Sequence, residues 1–283
     1  MKYIDKEYVN EITKKYNSGE IISRRKNIFY KGHEYTLNND VYYVLNNDEK
    51  IEYAKCYSDI FYFIEKYLNI KLRPYQIKWI KHYIKNRFII FNVAKQTGYN
   101  SIISILYLHD MLFNGKKIKH LALYNGGYEC INHIKSYYIK LPYFLKQNLI
   151  DLSSKSIKFS NGGYIKIING RVKCISDELI YDIFSFQDFA HNYTYSENYK
   201  EIIPEVLAYN NNKLIITSTP NGKNYYYELY KNSLLPDDHP EKNMFKTINT
   251  YWYEVEGRDD TWKYDEMKRL GLDKFNSEFN LEF

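Results

Sequence analysis

The chemistry-bearing residues first gather at Lys95-Gln96-Thr97-Gly98, a turn between the apolar run FIIFNVA (88–94) and the segment YNSIISILYLHDMLF. A short β-branched and aromatic run, a glycine turn and then a helix is how α/β proteins hold phosphate: the turn's N–H groups and the helix's positive end converge on one anion. A complete phosphate-binding loop needs two more groups directly after the glycine, a Lys for the β/γ-phosphate oxygens and a Ser or Thr hydroxyl for magnesium. Here those positions hold Tyr99 and Asn100. A phenol carries no charge, and an amide replaces a hydroxyl poorly on a metal with strict octahedral demands. Ser101, one step on, reaches magnesium only if the turn shifts register. One glycine is a weak motif, and in isolation KQTGYNS reads as an ordinary strand-to-helix turn.

Carboxylates that would serve a metal or activate water come next. Asp182 lies within the strand-like LIYDIF (179–184), and Asp177-Glu178 precede it as a pair whose usual reading is a solvated turn. Lys116, Lys117 and Lys119 in NGKKIKH offer cations to an anionic partner, or form a solvated turn between helix and strand.

The elements that must position these groups are legible from periodicity. LRPYQIKWIKHYIKN has a helical apolar face at Ile77, Ile80, Tyr83 and Ile84. HLALYN (120–125), LIYDIF and KLIITSTP (213–220) join FIIFNVA as buried-strand candidates, and SIKFSNGGYIKIING reads as a hairpin about Asn161-Gly162. Buried strands separated by helical stretches predict an α/β fold, a mostly parallel sheet with helices on both faces. Residues 1–60 are charged and rich in Tyr and Asn, with a helical opening (Tyr8, Ile12, Tyr16) and a strand-like VYYVL at 41–45; they read as an N-terminal cover. Residues 61–283 read as the main domain, with a turn-rich breaker at LLPDDHPEK and a closing region, 247–283, that carries Trp252 and Trp262.

With 283 residues and 45% hydrophobic content the chain can bury a substantial core. No apolar run approaches the roughly 18 residues of a membrane span, and the start lacks a signal peptide's apolar region, so the sequence reads as an intracellular protein. Cys56, Cys130 and Cys174 are sparse and far apart, which argues against a zinc site or disulfide framework and for core positions. A net charge of +6 permits an anionic partner without requiring one.

Taken in order, LRPYQ (72–76), the 91–109 segment, LPYFL (141–145), SIKFSNGGYI, LIYDIFSF, IITSTPNGKNYYYELY (215–230) and the closing FNSEFNLEF resemble the ATPase domain of the tailed-phage terminase large subunit. The match spans about 70–283. Its most specific element is STPNG after an apolar strand, which is similar to the family's coupling motif and places Thr217, Ser218, Thr219 and Asn221 in it. The resemblance implies a P-loop NTPase fold of the terminase or RecA-like type. It implies an adenine-reading Gln at Gln76 with Tyr75 or Pro74 beside it, and a phosphate loop of Lys95, Gln96, Thr97, Gly98 and Ser101. The family begins that loop with Arg-Gln and follows its Gly with Lys and Thr or Ser; this chain has Lys95, Tyr99 and Asn100. Laid against LIYDIFSFQ, the family's Asp-Glu carboxylates fall on Ile183 and Phe184, and a one-residue slip recovers only Asp182.

The resemblance therefore implies a terminase-type ATPase domain without hydrolysis: a structural or regulatory pseudo-ATPase of viral DNA packaging, present in a mixed motor ring or acting on the active motor. The alternative it leaves open is a divergent active ATPase, with Lys95 serving the phosphates and Asp182 or Asp177 holding magnesium. A third reading is a helicase-like remodeller, since LRPYQ is similar to that wider group as well. ATP and magnesium are the cofactors if the pocket still binds. The implied partners are double-stranded DNA, an intact terminase subunit or a portal complex, in a homo- or hetero-oligomer, with no membrane. The implied location is the host cytoplasm, at the capsid portal vertex. The chain stops where the family's linker to its nuclease would begin, so an isolated motor domain is expected.

Overall fold

The computed structural model describes residues 27–30, 33–36, 47–169 and 179–283. The expected helical opening, the VYYVL strand, Asp177-Glu178 and Cys174 lie outside the described residues. In chain order the strands are β1 (Asn27–Tyr30), β2 (His33–Thr36), β3 (Phe88–Val93), β4 (Lys117–Ala122), β5 (Leu149–Leu152), β6 (Ser156–Phe159), β7 (Tyr164–Asn169), β8 (Ile183–Gln187), β9 (Lys213–Ser218) and β10 (Lys246–Thr250). The helices are α1 (Asn47–Ser58), α2 (Ile60–Phe63), α3 (Pro74–Lys85), α4 (Tyr99–Asn114), α5 (Tyr124–Lys140), α6 (Tyr195–Leu207), α7 (Tyr225–Ser233), α8 (Asp260–Leu270) and α9 (Leu272–Phe275). The chain forms two compact units, one of Met1–Lys71, Ser104–Lys116 and Ile131–Ile165, the other of Leu72–Ile103, Lys117–Cys130 and Lys166–Phe283.

In the first unit β1 and β2 pair antiparallel, as do β5 and β6. The Asp59 carboxylate accepts from Phe61 N and starts α2; a wide turn at Ile64–Leu68 follows, ended by Asn69 in the left-handed region at φ 53°. The expected hairpin turn at Asn161-Gly162 is present, with Gly162 at φ 96° and Phe159 N donating to Gly163 O at 2.7 Å. The Asn161 amide donates to Met111 O and Leu112 O, both at 2.8 Å, which fixes the turn against α4's last residues.

The second unit carries the site. Its strands run β10-β3-β9-β8-β4, every neighbouring pair parallel. β3 and β8 are buried along their whole length, as continuous apolar runs covered on both faces require. This is the α/β class with a mostly parallel sheet that the sequence predicts. β10 was not legible as a strand, because TINT has few apolar residues to mark it. Trp79 of α3 explains part of its placement, since Trp79 Nε1 donates to Thr250 Oγ1 at 2.8 Å inside the core. Cys56 and Cys130 are buried, in line with the core reading. Among the described residues no helix is long and apolar enough to cross a membrane.

Candidate nucleotide cleft

β3 delivers the chain to a tight loop. Ala94 N donates to Thr250 O at 2.8 Å, Thr97 Oγ1 returns to Ala94 O at 3.0 Å, and Ile102 N donates to Gly98 O at 3.3 Å as α4 begins. Gln96 and Gly98 both take positive φ, 59° and 81°. The glycine is required: beyond its φ, a Cβ there would stand 3.1 Å from Gln76 Nε2. Gln96, with no such freedom, is held in a costly conformation by its surroundings. Tyr75 Oη and Gln76 Nε2 donate to Thr97 O at 3.0 and 3.4 Å, and Gln76 Oε1 accepts from Arg73 N. Tyr75 and Gln76, read from sequence as nucleotide contacts, are thus committed to supporting the loop and starting α3.

The loop walls a cleft of about 360 Å³ at the C-terminal ends of β3, β8 and β9, the crevice where open α/β sheets bind ligands. Residues 93–100, Glu129, Gln187, Asp188 and 217–219 line it. Lys95, Gln96, Thr97 and Gly98 are among them. Ser101 is not among the lining residues.

Tyr99 does not take a lysine's role. Its ring packs 5.9 Å from Trp79 and 5.4 Å from Phe91, centroid to centroid, and only 9% of the residue is exposed. The phenol is a floor to the cleft. Burial raises its pKa far above the ordinary range, with the Thr217 hydroxyl pulling the other way.

The carboxylate positions read from sequence require correction. β8 starts at Ile183, so Ile183 and Phe184 are core residues at the strand's N-terminal end, and the Asp182 carboxylate accepts from Lys117 N at 2.8 Å. A whole strand, roughly 16 Å at 3.3 Å per residue, separates Asp182 from the cleft, so it is no magnesium ligand there. The strand's C-terminal end instead presents Gln187 and Asp188, where an apolar strand with terminal Asp-Glu would place its acids. Asp188 sits at φ 57°, and burial raises its pKa, with His191 and Lys95 opposing.

Beside the loop four side chains form a hydrogen-bonded relay. Asn100 Nδ2 donates to Glu129 Oε2 at 2.7 Å, Gln187 Nε2 donates to Asn100 Oδ1 at 3.1 Å, and Gln187 Oε1 meets His120 Nε2 at 3.2 Å. Burial holds His120 down to about 4, so it is neutral near pH 7. Of these four side chains only Glu129 is a carboxylate, and among the described residues no group of three His, Cys, Asp or Glu is arranged to hold a metal ion. Glu129, Gln187 and Asp188 escaped the sequence reading. The sole signal was the polar ending of IFSFQD.

No family model matches the chain. Among solved structures, the large-terminase ATPase domain of Thermus phage P74-26 matches with TM-score 0.60 at 14% identity, covering 77% of this chain and 96% of that one. The large terminase of bacteriophage HK97 matches with TM-score 0.62 at 13% identity, over 80% of this chain and 54% of that one. A large terminase from a thermophilic bacteriophage matches with TM-score 0.55 at 11% identity, over 75% and 53%. The fold is that of phage large-terminase ATPase domains. The chain spans about half the length of the last two of these large terminases.

On this terminase-type fold the STPNG segment bridges strands. Thr217 Oγ1 donates to Phe91 O at 3.2 Å, Ser218 Oγ accepts from Ala190 N at 3.0 Å, and Thr219 Oγ1 lies 2.9 Å from His191 Nε2. Asn221 and Asn224 amides both donate to Ala190 O. The end of β9 is thereby tied to the loop after β8, where Asp188 stands. Of the lysines considered for DNA, Lys119 is corrected: it is 1% exposed, with its ammonium 5.1 Å from the Tyr181 ring, and faces no DNA phosphate. Lys116 and Lys117 are half-buried.

Proposed function

We propose that this chain is a terminase-like component of viral DNA packaging that keeps the ATPase fold but not hydrolysis, and serves as a structural or regulatory subunit. The observation that carries this is the Glu129–Asn100–Gln187 relay, which fills with bonded amides the place where a hydroxyl and a carboxylate would hold magnesium. The loop's backbone still offers an anion cradle at a helix N-terminus. Charge developing on a transferring phosphoryl group would meet neither a metal ion nor the lysine that Tyr99 replaces, and each such stabiliser is worth several kcal/mol of barrier. In this reading the STPNG bridge relays the occupancy of the cleft without a turnover event. The partners are double-stranded DNA, an intact terminase subunit or a portal complex, and the place of action is the host cytoplasm at the portal vertex.

Asp188 supports a second reading, a divergent active ATPase, because its carboxylate lines the cleft where a water-activating base belongs. ATP turnover measured with magnesium, with and without double-stranded DNA, separates the two. The expected result is turnover at background in both the wild type and Asp188→Asn. Magnesium-dependent turnover that disappears in Asp188→Asn would establish the second reading.

A further inference from the structure

We propose that Glu278 is an internal competitor for the anion subsite of the cleft: its carboxylate occupies the Lys95 ammonium, and a polyphosphate entering the cleft must displace it. This inference rests on the reading above that the cleft accepts phosphate groups.

Lys95 is the sole cation among the lining residues, and its Nζ is 2.5 Å from Glu278 Oε1. The same residue is engaged through its backbone, with Lys95 N donating to Glu278 O at 3.0 Å. A second cation, Lys274, stands 3.9 Å from the same carboxylate oxygen and keeps the carboxylate compensated if Lys95 turns away. The two partners differ in freedom: the Lys95 side chain is 45% exposed and that of Glu278 only 10%. A long, half-exposed lysine swings easily, whereas the turn at Asn276–Asn280 is fixed.

The ion pair is not what fixes that turn. Phe275, Phe279 and Leu281 bury themselves with Ala94 and Trp252, and Trp252 Nε1 donates to Asn280 Oδ1 at 3.0 Å. Arg258 completes the clasp by donating to Lys95 O at 3.2 Å and Gln96 O at 3.0 Å while its guanidinium lies over Trp262. A pair with one half-exposed partner adds little stability to so anchored a segment. Its effect falls on the ligand, since every phosphate oxygen that seeks Lys95 meets a carboxylate already there. The ligand class is a di- or triphosphate, whose greater charge outcompetes a single carboxylate, bound here without metal.

Calorimetric titration with ADP and with inorganic tripolyphosphate, both in EDTA, tests the competition. Glu278→Gln keeps the backbone contact and removes the charge, and it is expected to bind both about tenfold more tightly, the size of one charge-assisted hydrogen bond. The gain is expected to vanish in the Glu278→Gln, Lys95→Met double variant. Equal affinity in wild type and Glu278→Gln, a gain that survives loss of Lys95, or no binding by either protein would overturn the proposal. Thermal unfolding verifies that each variant is folded. Should Glu278→Gln fail to fold, Glu278→Asp, whose shorter side chain retreats from Lys95, carries the same expectation. Turnover is scored separately: hydrolysis by the wild type would overturn the pseudo-ATPase reading and leave the competition standing.

Discussion

Gln187 Nε2 donates to Asn100 Oδ1 at 3.1 Å, joining the C-terminal end of β8 to the first turn of α4. With its amide nitrogen given to Asn100, Gln187 can only accept at Oε1, so the facing His120 must carry its proton on Nε2. One bond thus dictates a tautomer on the neighbouring strand and an amide orientation on the helix. The relay commits both amides and one carboxylate oxygen of Glu129 to one another.

Gly126 of α5 supports this relay by its lack of a side chain. A Cβ there would stand 2.7 Å from Gln187 Nε2 and 2.9 Å from Cδ and Oε1. Gly126→Ala is expected to push Gln187 off Asn100 and to destabilise the fold by about 1–3 kcal/mol, the range for overpacking. The His120 ring signals in an NMR spectrum should move with it. Unchanged His120 signals would show that Gln187 yields without breaking the relay.

His120 also predicts acid sensitivity. Its folded pKa, about 4, lies below the ordinary 6.5, so between those values the unfolded chain binds more protons than the folded one. Stability therefore falls as pH drops from about 6.5 to about 4, by up to ~3 kcal/mol. Burial lowers His82, His109 and His191 as well, which adds to the loss, while the raised pKa of Asp188 works against it. Urea unfolding at pH 7 and pH 4.5 measures the slope, and His120→Gln should flatten it. An identical slope in His120→Gln would assign the effect to the other histidines.

The sequence marked β3, the loop and α4 because their signals reinforce one another: an unbroken apolar run, a glycine that must sit at positive φ, then helical periodicity. β8 was misplaced by about four residues for an equally physical reason. Leu179 and Ile180 are apolar yet 42% and 58% exposed, while Ser185 and Gln187 are polar yet buried within the strand. Hydropathy therefore pointed to LIYDIF, whereas the hydrogen-bonded strand is IFSFQ. That slip carried the carboxylate search to the wrong end of the sheet and hid Asp188. Glu129 was illegible for another reason, since it reaches the cleft from α5, a helix with no phosphate-loop signal of its own.

Arg258 is expected to hold the loop's first half. Its two donors satisfy the carbonyls of Lys95 and Gln96, and Gln96 is the loop's non-glycine residue at positive φ. Arg258→Ala removes both bonds and the stacking on Trp262, and should cost about 2 kcal/mol. Faster amide hydrogen exchange confined to residues 94–98 and 258–280 is the accompanying signature. Exchange that accelerates throughout the second unit would mean a global loss of stability instead.

Tyr99 has a structural role that substitutions can measure. Its ring fills the space between Trp79 and Phe91, so Tyr99→Ala should cost about 3–5 kcal/mol, as other large aromatic truncations do. Tyr99→Phe should stay within about 1 kcal/mol of wild type, because the hydroxyl is buried without a partner of full hydrogen-bond geometry. On the pseudo-ATPase reading, Tyr99→Lys, which supplies the residue expected of a phosphate loop, should show no turnover. It would abandon the aromatic contacts and place an ammonium against Phe91, while Asn100 and Gln187 would still close the metal position. Denaturant unfolding of the three variants and ATP turnover of Tyr99→Lys test this together. Turnover gained from that one substitution would mean that the amide relay opens readily, and that the missing lysine alone silences the cleft.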